Sequence, residues 1–153
     1  FEYNVVLITP RGHQLLSKGK PSLEDISRWP LILTGPESLT RQKVEQVLKA
    51  SGSTSEVVLA MDDTESIKRY VETGMGVAVC NDFTLHQEDH DRLGVSKLDH
   101  IFTTSTIGIC TLKGKFLGRA VRNFIGVMGE ELRGYHADVK DWQKLDSNLL
   151  TDS

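Results

Sequence analysis

Twice in this chain an apolar run ends in a turn and gives way to a helix with one apolar face. Leu31-Ile32-Leu33-Thr34 breaks at Gly35-Pro36, and the spacing predicts a helix from Ser38 to about Ala50, with Val44, Val47 and Leu48 on one side and Gly52 as its stop. Glu56–Met61 then runs into the cap Asp62-Asp63-Thr64 and a helix carrying Ile67, Tyr70 and Val71, which ends at Gly74. A further strand, Gly76–Cys80, follows at once. Strands alternating with one-faced helices over these lengths imply right-handed crossovers and a mostly parallel sheet covered on both faces, so the fold class is α/β.

The flanking segments extend this pattern. Val5–Thr9, stopped by Pro10-Arg11-Gly12, reads as a buried strand that begins almost at the first residue. With no initiator Met, the sequence reads as a piece of something longer whose missing part lies on the N-terminal side. Ser22 can cap a short helix over Leu23–Arg28, with Glu24 and Asp25 at its positive end and Trp29-Pro30 closing it. Residues 81–93 are polar and acid-rich and read as a solvated connection. Val95–Leu98 and Ser105–Cys110 alternate well enough for strands. Phe116 to about Leu132 is the strongest helical pattern, and its Leu117, Val121, Phe124, Ile125, Met128 and Leu132 are expected to face a core. Gly118, Gly126 and Gly129 each weaken that helix by up to about 1 kcal/mol relative to Ala, so packing must hold it. From Gly134 onward the chain is polar, with isolated Trp142 and Leu145.

Composition narrows the function. At 153 residues the chain suits one α/β domain or two half-sized lobes. Eighteen Lys and Arg against 21 Asp and Glu leave a net charge of −3, which argues against this segment gripping nucleic acid through phosphates. No run approaches the roughly 18 apolar residues of a membrane span, and the first residues lack the basic and apolar regions of a signal peptide. Cys80 and Cys110 form no disulfide scaffold and no CxxC pair, which fits a reducing cytoplasm.

Few residues carry a catalytic pattern. His86 and His90 stand four apart among Glu88, Asp89 and Asp91, a spacing that would put both rings on one helix face for Zn; position 87 is Gln where a metalloprotease motif needs Glu. A hydrated polar face is the simpler reading. Cys80 has no local His partner and reads as a core thiol. There is no GxSxG, GxGxxG or GxxxxGK[ST] motif, so neither an enzyme nor a cofactor is indicated. Both βα junctions instead end in small hydroxyl or acidic residues, Ser38-Leu39-Thr40-Arg41 and Asp62-Asp63-Thr64. Two helix N-termini are therefore expected at the C-terminal edge of one sheet, where free amides suit a carboxylate or sulfate.

The order Val6–His13, Ser22–Asp25 with Trp29–Ile32, and Ser66–Val79 (SIKRYVETGMGVAV) resembles the effector-binding domain of LysR-type transcriptional regulators. His100–Phe102, Ser105–Gly108 and Phe116–Ile125 resemble the CysB/Cbl branch, whose members respond to sulfur metabolites. The likeness covers about residues 3–132. It implies a periplasmic-binding-protein type II-like domain of two Rossmann-like lobes with an effector in the cleft between them. Residues 1–9 would be a crossing strand, 10–98 the second lobe, 99–132 a return segment to an incomplete first lobe, and 133–153 a tail.

The resemblance also implies site residues. A family threonine that holds the effector anion falls at Leu39, beside Thr40, in the turn that Ser38 opens. A backbone amide at the next helix start falls at Thr64, following Asp63, and an aromatic residue at the cleft entrance aligns near Tyr3. Arg41 matches a family arginine that serves either the ligand or simply the helix surface, the surface being the preferred reading. The implied partners are a small anionic metabolite, further copies of a dimeric or tetrameric parent, and DNA through an absent N-terminal winged helix, in the cytoplasm and without membrane. Two other readings stay open: a periplasmic-type solute-binding protein for a small anion, and a metal-dependent hydrolase using His86 and His90.

Overall fold

In the computed structural model, the described residues are 1–17, 19–109, 112 and 116–135, with the side chains of 130–135 outside the description. The chain forms two units, one of Tyr3–Thr104 and one of Phe1–Glu2 with the residues from Ser105 onward.

The larger unit is built on a five-stranded sheet. Its strands are β2 (Val5–Pro10), β3 (Leu31–Leu33), β4 (Val57–Ala60), β5 (Val77–Asn81) and β6 (Leu93–Lys97), in the spatial order β4-β3-β5-β2-β6. β3 runs parallel to both β4 and β5, whereas β2 is antiparallel to β5 and to β6, so four strands point one way and β2 the other. The expected mostly parallel sheet thus holds, with one reversed strand inserted between β5 and β6.

Period-2 alternation sends the two faces into separate cores. Val5, Leu7, Leu31, Leu33, Val77 and Val79 pack with Ile26 of α1 (Leu23–Ser27) and with Val44 and Leu48 of α2 (Leu39–Ala50). Val6, Ile8, Ile32, Ala78 and Cys80 pack on the other side with Ile67 and Val71 of α3 (Thr64–Glu72). Ser22 closes a full capping box with Asp25. Gly52 and Gly74 stop α2 and α3 with φ of +68° and +82°, a conformation that glycine adopts without steric cost. β4 is an edge strand, which is why Val57 and Val58 are exposed.

Two expectations are refined. Residues 81–93 form a 3-10 turn over Asp82–Thr84 and the short α4 (Asp89–Arg92); residues 86–88 and 90–92 are exposed, as a surface connection requires, but Asp89 and Leu93 are buried. In the smaller unit, α5 (Arg119–Tyr135) forms as the periodicity predicts, but Phe124 is 64% exposed and Val121 is exposed too, while Leu117, Ile125 and Met128 are half-buried. Its apolar stripe does not close a core among the described residues. β1 (Glu2–Tyr3) and β7 (Ser105–Thr106) make a separate two-stranded sheet, in which Phe1 N–H donates to the Ile107 carbonyl at 2.6 Å. The expected strand through Cys110 reaches only Thr106, and Cys110, Leu132's side chain, Trp142, Leu145 and the tail lie outside the described residues.

Candidate functional site

Because β3, β4 and β5 are parallel, their C-terminal ends share one rim, and the N-terminus of antiparallel β2 joins them there, Val5 pairing with Asn81. All the predicted site residues sit on elements that meet this rim. α2 and α3 are the next elements after β3 and β4, reached by short turns, and Tyr3 and Asn4 lead into β2.

The two helix N-termini differ. At α3, Asp63 accepts from Ser66 N–H at 2.9 Å and from Ser66 Oγ, so the helix is capped by its own carboxylate. These hydrogen bonds hold the Asp63 carboxyl below its ordinary range. Asp62 Oδ1 accepts from Gly35 N–H at 3.2 Å, tying the two βα turns together. At α2, Ser38 makes no side-chain cap bond. An uncapped helix start with a positive dipole end favours an anion.

Around that start, Thr40 is buried and its hydroxyl donates to Asn81 Oδ1 at 3.0 Å. Leu39 is 69% exposed at the first helical position. Arg41 donates to the Thr34 carbonyl at 3.1 Å and pairs with Glu45, and its side chain is only 14% exposed, so it lies more against the β3–α2 turn than on the open helix surface. Tyr3 is buried against Phe83, ring centroids 5.3 Å apart and planes at 88°, with the Lys43 ammonium 5.8 Å from its ring. Asn4 donates from its backbone and side chain to Asp82 at 3.1 and 3.2 Å, and Thr104 Oγ1 donates to Asn4 Oδ1.

Sequence reading missed Lys68. Its side chain is 0% exposed, with Nζ 2.7 Å from Asp89 Oδ2, 2.5 Å from Glu65 Oε1 and 3.2 Å from the Thr84 carbonyl. Burial opposes its charge, but hydrogen bonds and the charges of Asp89 and Glu65 outweigh burial and raise its pKa. Asp89 is held below the ordinary carboxylate range, burial being overcome by bonds from Lys68, His86 N–H and Arg92. A signal did exist: Ile67, Lys68 and Val71 share the buried face of α3.

The metal reading loses its geometry. α4 begins at Asp89, so His86 lies ahead of the helix and the i, i+4 pairing with His90 does not form. Among the described residues no group of three His, Cys, Asp or Glu could hold a metal. Burial pushes the Cys80 thiol up to about 12, far from a reactive thiolate. Two surface depressions, of about 380 and 390 Å³, lie one between the end of α2 and the loop before β4, touching Leu33, and one beside α1.

The LysR substrate binding domain family matches residues 1–133. The chain belongs to that family. It is similar to the HTH-type transcriptional regulator SsuR of Burkholderia cenocepacia, 29% identical over 117 residues, covering 76% of this chain and 38% of SsuR. Among solved structures it resembles the cofactor-binding domain of the Cbl transcriptional regulator, with a TM-score of 0.63 and 25% identity over 68% of this chain and 46% of that one. The regulatory domain of Synechocystis CcmR in complex with 2-PG matches with a TM-score of 0.64 at 21% identity, covering 84% and 62%. The chain therefore spans less than half the length of SsuR. These LysR-family relatives are transcription regulators, and no helix among the described residues is long and apolar enough to cross a membrane.

Proposed function

We propose that this LysR-family domain senses a small anionic metabolite, of the sulfur-metabolite type, at the rim built by α2, α3 and the Asn81–Thr84 turn. The observation that carries the reading is the uncapped start of α2 at Ser38, Leu39 and Thr40, set beside a start of α3 that Asp63 has already filled. The amide N–H groups there donate to one anion; Tyr3, seated on Phe83, walls the entrance. Thr64, behind the Asp63 cap, contributes through its backbone. The sulfur-metabolite class rests on likeness to SsuR and Cbl, and the occupied fold of CcmR with 2-PG supports a small ligand.

In this reading residues 1–9 are a crossing strand and 10–98 a second lobe, with 99–132 returning toward a first lobe. Effector binding shifts the populations of lobe arrangements, and so of subunit arrangements, in an oligomeric DNA-bound parent. Isothermal titration of the chain with sulfate, thiosulfate and O-acetylserine tests it. A saturable one-site isotherm with at least one supports the reading; no heat with any of the three contradicts it.

A further inference from the structure

The aromatic side of the rim comes from one short segment, Asn81–Thr84, and that segment is tied to α3 by a buried cation. Asn81 Oδ1 takes the Thr40 hydroxyl, the Asp82 carboxylate takes Asn4, Asp82 N–H donates to the Asn4 carbonyl at 2.9 Å, and Phe83 receives Tyr3. Thr84 Oγ1 donates to the Asn81 carbonyl at 2.7 Å, closing the turn on itself. Its own carbonyl then takes Lys68 Nζ at 3.2 Å. An ammonium has three protons, and Lys68 meets three oxygens, those of Thr84, Asp89 and Glu65. Asp89 Oδ2 also accepts from His86 N–H at 2.8 Å, so the chain is held on both sides of Leu85.

Stability alone does not account for this choice. A buried ion pair is often no better for stability than apolar residues of the same volume. What apolar contacts lack is direction, and two directed hydrogen bonds, to Asp89 and to Thr84, with the ion pair to Glu65, fix where the Thr84 carbonyl stands. Resting on the effector reading above, the geometry points to Lys68 as the positioning residue of the rim: through Thr84 it sets the Asn81–Thr84 turn, and through that turn Thr40, Asn4 and Tyr3.

The test compares the wild-type chain with the double variant Lys68→Met/Asp89→Asn, which removes both charges while an amide oxygen at position 89 still accepts from His86 N–H. Three readouts are needed: the melting temperature, amide hydrogen exchange, and titration with thiosulfate, sulfate and O-acetylserine. The expected result is a cooperative melt within a few degrees of wild type. Exchange is then at least tenfold faster at Asp82 and Leu85, with Val77–Val79 still protected, and affinity for whichever anion binds is at least tenfold weaker.

Wild-type exchange at Asp82 and Leu85 in the double variant overturns the proposal, and so does unchanged anion affinity. Loss of cooperative folding also overturns it, since that assigns the pair to stability. Exchange needs no ligand, so a wild-type chain silent to all three anions contradicts the effector reading, and the exchange data still decide whether Lys68 sets the turn.

Discussion

Lys68 Nζ and Asp89 Oδ2 lie 2.7 Å apart with side chains 0% and 2% exposed, joining the second turn of α3 to the start of α4. Removing Lys68 takes the buried cation from Asp89 Oδ2 and leaves only the half-exposed Arg92 on its other oxygen. Lys68→Met alone is expected to cost up to about 3–5 kcal/mol, read as a fall in the urea midpoint, because Asp89 keeps its charge in a site that has lost its buried counter-ion. Removing both charges together is expected to recover most of that loss.

His13 supplies a pH dependence. Burial lowers its pKa below 6.5, its Nδ1 accepts from Leu15 N–H at 3.2 Å, and its ring stands edge-on to Trp29 with centroids 4.4 Å apart. The unfolded chain therefore takes up a proton first as pH falls, so stability is full above 6.5 and declines as pH drops through that value toward the folded pKa. His13→Asn keeps an acceptor for the cap and removes the titration. Chemical denaturation between pH 7.5 and 5.5 is expected to give a flatter stability curve for His13→Asn than for wild type. Asp89 acts in the same direction in a separate window, below its ordinary value of 3.8.

Gly76 marks a close approach of backbone to backbone. A Cβ there would lie 2.5 Å from the Pro30 carbonyl oxygen, which already accepts from Val77 N–H at 2.9 Å to start the β3–β5 pairing. Gly76→Ala is expected to destabilise by about 1–3 kcal/mol, the range for overpacking a tight site, measured by thermal or urea unfolding.

Much of this architecture is legible in the sequence. Gly35-Pro36, Gly52 and Gly74 punctuate runs whose periodicity changes from 2 to 3.6, so β3, α2, β4, α3 and β5 fall where the pattern puts them, and the shared rim follows from their parallel pairing. The reversal of β2 is not legible, since alternation says that Val5–Thr9 is a buried strand but not which neighbours it pairs with or in which direction. Lys68 was hidden by its residue type: a lysine between Glu65 and Arg69 looks solvated until its place beside Ile67 and Val71 is weighed with an acid 21 residues on. In α5 the pattern shows which face is apolar, whereas the exposure of Val121 and Phe124 depends on what lies against that face. The two βα junctions read alike in sequence; only the side-chain geometry separates the filled α3 start from the open α2 start.

That asymmetry gives the most direct measurement. Ser38→Asp places a carboxylate where α2 has no side-chain cap, imitating what Asp63 does for α3. A good N-cap contributes about 0.5–2 kcal/mol, so the variant is expected to melt higher than wild type. In titrations with sulfate, thiosulfate and O-acetylserine, the same variant is expected to lose the one-site isotherm that the wild-type chain gives. Higher stability with anion binding lost is the result that an anion seated on the α2 start requires; wild-type binding retained in Ser38→Asp contradicts it.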